Sequence, residues 1–347
     1  MKLVRHEPLG VCAAINPFNA ALATLFLKAI PALVTGNVII VKPSEKTPLG
    51  SLAVAPLFAR AGFPPGVLQV ITGAGSTGAL LAEHMRIRKV SFTGSVATSK
   101  NIQIAAARSN LKRVTLELGG KSPAVIFDDA NLENALKWTI DGILTRSGQL
   151  CVAASRVYVQ KSVADQFINE YKKRMKDAIN DYGDPQDPAV KLGPMVDQPQ
   201  LERVKAIVER GRSEAELVVG GSQHGDAGCY MEPTVFLNPK DDAEIYRNEI
   251  FGPVSIIKTF ETEEEALKLA NDTEFGLMSG VFTKDITRAL RMSSGLESGV
   301  VGINCVSVQN IQVPFGGKKQ SGIGREFGEY ALRLYTEPKT VLINMAA

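Results

Sequence analysis

Val38-Ile39-Ile40-Val41 is an unbroken β-branched run, bounded by Gly36-Asn37 on one side and Lys42-Pro43 on the other. A run that short and that uniformly apolar reads as a strand buried on both faces. The residues after it repeat the theme. Pro48 opens a helical stretch that ends near Gly62, with Pro64-Pro65-Gly66 as the stop. VLQVI (67–71) reads as a strand and residues 76–84 as a helix. KVSF (89–92) reads as a strand, followed by a helix through Ile102-Gln103-Ile104, and RVTLEL (113–118) as a further strand. Alternation of this kind implies a parallel sheet with crossover helices, whose ligands sit beyond the carboxyl ends of the strands.

A second α/β unit starts after Leu118-Gly119-Gly120. AVIF (124–127) and RVYV (156–159) read as strands, and residues 131–145, 163–178, 198–211 and 262–271 as helices. Residues 181–199 are rich in Pro, Gly and Asp and read as a surface loop. KTVLIN (339–344) reads as a late, isolated strand. The expected division is a dinucleotide-binding domain over 1–118, a catalytic domain over 119–318, and a return segment with a terminal strand over 319–347. A length of 347 residues suits about two domains.

A formal charge of +3 gives no reason to expect a nucleic acid or a membrane as partner. The apolar stretch over residues 11–41 is interrupted by Asn16-Pro17, Asn19, Lys28 and Pro31 before a span could accumulate. The four cysteines, Cys12, Cys151, Cys229 and Cys305, are widely spaced and have no clustered histidines. That argues against a metal site and a disulfide framework, and fits a reducing, cytoplasmic setting.

Several residues carry two readings. Gly73-Ala74-Gly75-Ser76-Thr77-Gly78 fits a phosphate-binding glycine pattern, but no acidic residue stands about 20 positions on, where a Rossmann turn wants one. Phe92-Thr93-Gly94-Ser95 is a strand-to-helix turn whose Ser95 could meet a phosphate. Lys42 and Glu45 either pair with each other or address ribose hydroxyls; a carboxylate there would repel a 2′-phosphate and favour NAD over NADP. Glu117 ends an apolar strand, and a carboxylate so placed needs a task or a partner. Cys151 is a packed cysteine or a nucleophile. Asn19 is a helix N-cap or an amide donor to an oxyanion.

In order along the chain these pieces resemble the aldehyde dehydrogenase superfamily. The resemblance is carried by Pro17-Phe18-Asn19, Lys42-Pro43-Ser44-Glu45, Phe92-Thr93-Gly94-Ser95, Glu117-Leu118-Gly119-Gly120-Lys121-Ser122-Pro123, Gly148-Gln149-Leu150-Cys151, Glu249-Ile250-Phe251-Gly252-Pro253-Val254, and Pro314-Phe315-Gly316-Gly317 with Ser321 to Glu326. It implies an α/β protein with a Rossmann-like cofactor domain and a second α/β catalytic domain. It implies Cys151 as nucleophile, Glu117 as the base that activates water, Asn19 as oxyanion donor, and Lys28 with Glu326 as a proton relay. For NAD it implies Lys42 and Glu45 at the adenosine ribose, Gly75 near the adenine, Ser95 at the pyrophosphate, Glu249 at the nicotinamide ribose and Phe251 beside the ring. It also implies a small aldehyde as substrate and a homo-oligomer, with a dimer favoured. The alternatives are a repurposed, inactive relative and a cofactor-independent cysteine esterase or thioesterase.

The resemblance has departures. Members usually carry a long segment before the point where this chain begins, with only its last strand, around LVRHEPLG, represented here. KTVLIN corresponds to a strand that joins a partner's sheet, so the expectation is an N-terminally truncated member with an exposed pairing edge and altered assembly. Ser99 stands where a glycine is usual. Thr145-Arg146-Ser147 replaces an aromatic residue and an asparagine.

Overall fold

The computed structural model of the chain describes residues 1–346. It divides into two compact units. The first is built from residues 1–118, 310–316 and 322 onward, and the second from 119–309 and 317–321.

The first unit opens with β1 (Lys2–Pro8) and β2 (Val11–Ile15), then α1 (Ala21–Val34), β3 (Val38–Lys42), α2 (Leu49–Arg60), β4 (Leu68–Val70), α3 (Gly75–Glu83), β5 (Lys89–Thr93), α4 (Val96–Arg108) and β6 (Arg113–Glu117). Short apolar strands such as β3 and β5 lie largely buried, as two-sided cover by helices requires. Strands β6, β5, β2, β3 and β4 form a parallel sheet in that order. The order reverses between β2 and β5, which makes their carboxyl ends the switch point of the sheet. One face packs Ala13, Ile15, Val90 and Phe92. The other packs Cys12, Ala14, Val41, Leu25 and Ala29 of α1, and Tyr335.

The second unit contains β7 (Pro123–Ile126), α5 (Leu132–Leu144), β8 (Arg156–Gln160), α6 (Ala164–Asp177), α7 (Gln198–Gly211), β9 (Glu216–Val219), β10 (Thr234–Leu237), α8 (Glu244–Arg247), β11 (Val254–Phe260), α9 (Glu263–Asn271), β12 (Phe275–Gly276), β13 (Met278–Phe282), α10 (Ile286–Gly295), β14 (Val300–Ile303) and β15 (Lys318–Lys319). Its seven-stranded sheet runs β14-β13-β7-β8-β11-β10-β9, parallel except for β9. Helix starts follow side-chain caps: Asn131 caps α5, Asp197 caps α7, Thr262 caps α9 and Asp285 caps α10.

The chain re-enters the first unit with β16 (Gly322–Ile323), α11 (Gly328–Arg333) and β17 (Thr336–Leu342). β16 adds antiparallel to β6, with Gly322 opposite Glu117. The terminal strand is not isolated. It starts at Thr336 and pairs along its whole length with β1, from Lys2 opposite Leu342 to Pro8 opposite Thr336. That two-stranded ribbon leaves the outer edge of each strand without a backbone partner among the described residues. Arg113 ties its base to β6 by donating to the Thr336 carbonyl at 2.7 Å and pairing with Glu337 at 2.7 Å. No described helix is long and apolar enough to cross a membrane.

Candidate active site

In the first unit the expected residues gather at the carboxyl ends of the parallel strands. Lys42 ends β3 and Glu117 ends β6, both buried. Lys42 Nζ bonds Glu45 at 3.2 Å and the Pro43 carbonyl at 3.2 Å, so the ammonium is held at the strand end beside an exposed carboxylate. A backbone hydrogen bond, then Lys42, hold the Glu45 carboxyl below its usual range, and it stays ionised. Ser95 is exposed and caps α4, accepting from Thr98 N–H at 3.3 Å. Gly75 is the first residue of α3, and a side chain added there would meet open space. Gly94 N–H donates to the Glu117 carbonyl at 3.1 Å, joining the β5 turn to the end of β6.

Asn19 directly precedes Ala20, the cap position of α1. Lys28, on α1 and fully buried, donates to Ser91 at 3.0 Å and forms an ion pair with Glu326. Glu326 is fixed by two backbone bonds with Phe315, each 2.7 Å. The fold thus joins Lys28 and Glu326 across 298 positions.

In the second unit Cys151 follows a turn of three consecutive left-handed residues: Arg146 (φ 53°), Ser147 (φ 54°) and Gly148 (φ 70°). Such backbone is strained for the two residues with side chains and is held by its surroundings. Gln149 does much of that holding. Its Nε2 donates to the Arg146 carbonyl at 3.0 Å, and its Oε1 accepts from Val196 N–H at 3.0 Å. Gly148 admits no other residue, because a Cβ there would lie 2.0 Å from the Gly252 carbonyl oxygen. Cys151 itself is half-buried.

The Gly119-Gly120 step connects Cys151 to Glu249. A Cβ on Gly120 would lie 2.4 Å from the Cys151 carbonyl oxygen, and one on Gly119 would lie 2.2 Å from the Glu249 carboxylate. Gly120 N–H donates to that carboxylate at 3.1 Å. Side-chain-free backbone is therefore required twice in succession, once against Cys151 and once against Glu249. Ser321, donating to the Gly119 carbonyl at 2.7 Å, fixes the step from behind.

Helix α7 clamps the segment that carries Glu249 and Phe251. Arg203 donates to the Ile250 and Glu249 carbonyls at 2.6 and 3.0 Å, and Gln200 to the Phe251 carbonyl at 3.0 Å. Phe251 sits at φ 60° in consequence. Gln200 and Arg203 are supports of this segment that sequence reasoning misses, because they lie far from the motifs in sequence; Ser321 lies inside a motif, but its bond to Gly119 is not legible there.

Burial raises the Glu249 carboxyl to about 7, against the hydrogen bond from Gly120 and the charges of Lys121 and Arg203. The folded-state value lies above the unfolded one. The protonated form is thus favoured by folding below pH 4.5, and that stability is lost as pH rises through 7. Glu249→Gln is expected to raise the thermal midpoint relative to wild type at pH 8 and to leave it near wild type at pH 4.5. Scanning calorimetry at both pH values checks this; an equal change at both contradicts it.

The other thiols have ordinary surroundings. Cys12 is fully buried, and desolvation pushes it up to about 12. Cys305 is also raised by burial. All four cysteines are free of disulfides. Among the described residues no group of three or more His, Cys, Asp or Glu could hold a metal ion.

The sequence profile described as the aldehyde dehydrogenase family matches residues 1–341. Rabbit (Oryctolagus cuniculus) aldehyde dehydrogenase 1A1 is 48% identical over 344 residues, which is 99% of this chain and 69% of the relative. The structure superposes on an aldehyde dehydrogenase from Bacillus cereus with a TM-score of 0.96 at 41% identity, covering 99% of this chain and 70% of the other. It superposes on betaine aldehyde dehydrogenase from Staphylococcus aureus, solved in complex with NAD+, with a TM-score of 0.97 at 38% identity, covering 100% and 69%.

Proposed function

The chain belongs to the aldehyde dehydrogenase family, and from that membership we propose that it oxidises an aldehyde to the carboxylic acid through a covalent intermediate on Cys151, with NAD as cofactor. The observation that carries the proposal is the glycine step that presses the backbone of Cys151 on one side and the carboxylate of Glu249 on the other. No packing requirement of an ordinary cysteine calls for it.

The residues present suit a dinucleotide. The Lys42–Glu45 pair offers one donor and one acceptor to ribose hydroxyls. Ser95, at the N-terminus of the 13-residue helix α4, suits a phosphate. The open space at Gly75 suits a base, and Glu249 suits the second ribose with Phe251 beside the nicotinamide. The ionised Glu45 favours NAD over NADP by repelling a 2′-phosphate.

The Cys151 thiolate adds to the aldehyde carbon and forms a thiohemiacetal. The Asn19 amide and the Cys151 backbone N–H donate to its oxyanion. NAD, when bound, would supply the hydride acceptor needed for this adduct to become a thioester. Glu117 then takes a proton from water. The hydroxide adds to the thioester carbon, the thiolate leaves, and the acid is released. Lys28 and Glu326 carry the proton onward. Cytoplasmic residence and a homo-oligomer, dimer favoured, accompany this reading and are tested by fractionation and sedimentation.

The direct test is NADH absorbance with NAD and a panel of short aliphatic, aromatic and carboxylated aldehydes. Growth of NADH supports the proposal. Its absence with every aldehyde, while esters are still cleaved, would replace it with a cysteine esterase. Asn19→Ala is expected to lower kcat/KM by roughly 100- to 1000-fold, the size of one lost oxyanion donor, with NAD affinity unchanged in a binding titration.

A further inference from the structure

The turn after β14 holds two residues in left-handed backbone, Asn304 (φ 57°) and Ser307 (φ 58°). Asparagine adopts that conformation readily, whereas a serine there is strained. The turn is firmly anchored. The Asn304 side chain accepts from Thr283 N–H at 3.0 Å and donates to the Thr283 carbonyl at 3.0 Å. Val306 is fully buried in the core of the second unit.

The Ser307 hydroxyl donates to the carbonyl of Val152, the buried residue that directly follows Cys151, at 2.7 Å. Residues 149–155 belong to no helix or strand, so bonds of this kind are what fix them. Helix α5 leaves room for the contact. A Cβ on Gly142 would lie 2.7 Å from Ser307 Oγ. The Gly142 carbonyl also accepts from Ala154 N–H at 3.2 Å, so α5 holds the same segment. Glycine within a helix is unfavourable, and so is serine in left-handed backbone. Both departures serve one hydroxyl, placed one residue from Cys151.

We propose that Ser307 is a positioning residue for the nucleophile. Its hydroxyl holds the Val152 carbonyl and so fixes the turn that presents Cys151 from the C-terminal side, as Gln149 does from the N-terminal side. This rests on the reading of Cys151 as nucleophile given above.

The test compares wild type, Ser307→Gly and Ser307→Ala. It measures first-turnover NADH formation by stopped flow over a range of aldehyde concentrations at saturating NAD, together with the Kd for NAD and the thermal midpoint. Glycine removes the hydroxyl and relieves the backbone, whereas alanine removes the hydroxyl and keeps the strain. Both variants are expected to lower the maximal first-turnover rate about 10-fold or more, the effect of a misplaced reacting group. The half-saturating aldehyde concentration and the Kd for NAD are expected to stay near wild type. Ser307→Gly is expected to melt at or above Ser307→Ala, so that the rate follows the hydroxyl and not the stability; it carries the test if Ser307→Ala does not fold. A wild-type rate in Ser307→Gly overturns the proposal. A raised half-saturating concentration at an unchanged maximal rate also overturns it and assigns Ser307 to substrate binding. A wild type that forms no NADH with any aldehyde would overturn the parent reading together with this role.

Discussion

Replacing Cys151 with alanine is expected to lower NADH formation from any accepted aldehyde by about 10,000-fold or more, because on the proposed route Cys151 is the nucleophile and its loss removes every covalent step that follows. NAD affinity is expected to stay at the wild-type value, since the change deletes one sulfur and keeps the backbone against which Gly120 packs. The other thiols provide the contrast. Cys12 lies at 0% exposure in the core of the first unit, with its thiol pushed to about 12. Cys12→Ala is expected to cost stability, by the small cavity it leaves, and to leave kcat near wild type. Steady-state NADH assays and thermal melts on the two variants separate the roles. Similar kcat losses in both would mean that Cys151 acts through packing.

Glu117→Gln is expected to release one NADH per active site in a rapid burst and then slow by roughly 100- to 10,000-fold, the usual worth of a positioned general base. The substitution keeps the shape of a side chain that is 5% exposed at the end of β6, so folding should survive. On the proposed route the steps before the thioester do not need the carboxylate, whereas its hydrolysis does. Stopped-flow absorbance reads the burst and the slow phase separately. A loss of the burst itself would move Glu117 to an earlier step.

The first sheet is legible because its strands are short β-branched runs punctuated by Gly and Pro, and because each is followed by a helical period. Much of the second sheet is not. β13 reads Met278-Ser279-Gly280-Val281-Phe282, with serine and glycine in its middle, and it becomes a strand because β7 and β14 bond it on both sides. Such tertiary support overrides weak propensity. The terminal strand is visible as a strand, but its pairing with β1 closes the length of the chain and leaves no local trace. At the site, motif residues are legible one at a time, whereas their supports are not. Arg203 and Gln200 look like the solvent face of a helix until α7 is seen to hold the carbonyls on either side of Ile250. The two glycines after Leu118 read as a flexible turn, and only the structure shows that each is required by a different neighbour.

The most direct test of the covalent route is peptide mass analysis of Glu117→Gln quenched after its burst with NAD and an accepted aldehyde. The account predicts an acyl group, two hydrogens lighter than the added aldehyde would give, on the peptide that contains Cys151 and on no other cysteine. NADH released in the burst with Cys151 unmodified, or with the acyl group on Cys12, Cys229 or Cys305, would contradict it.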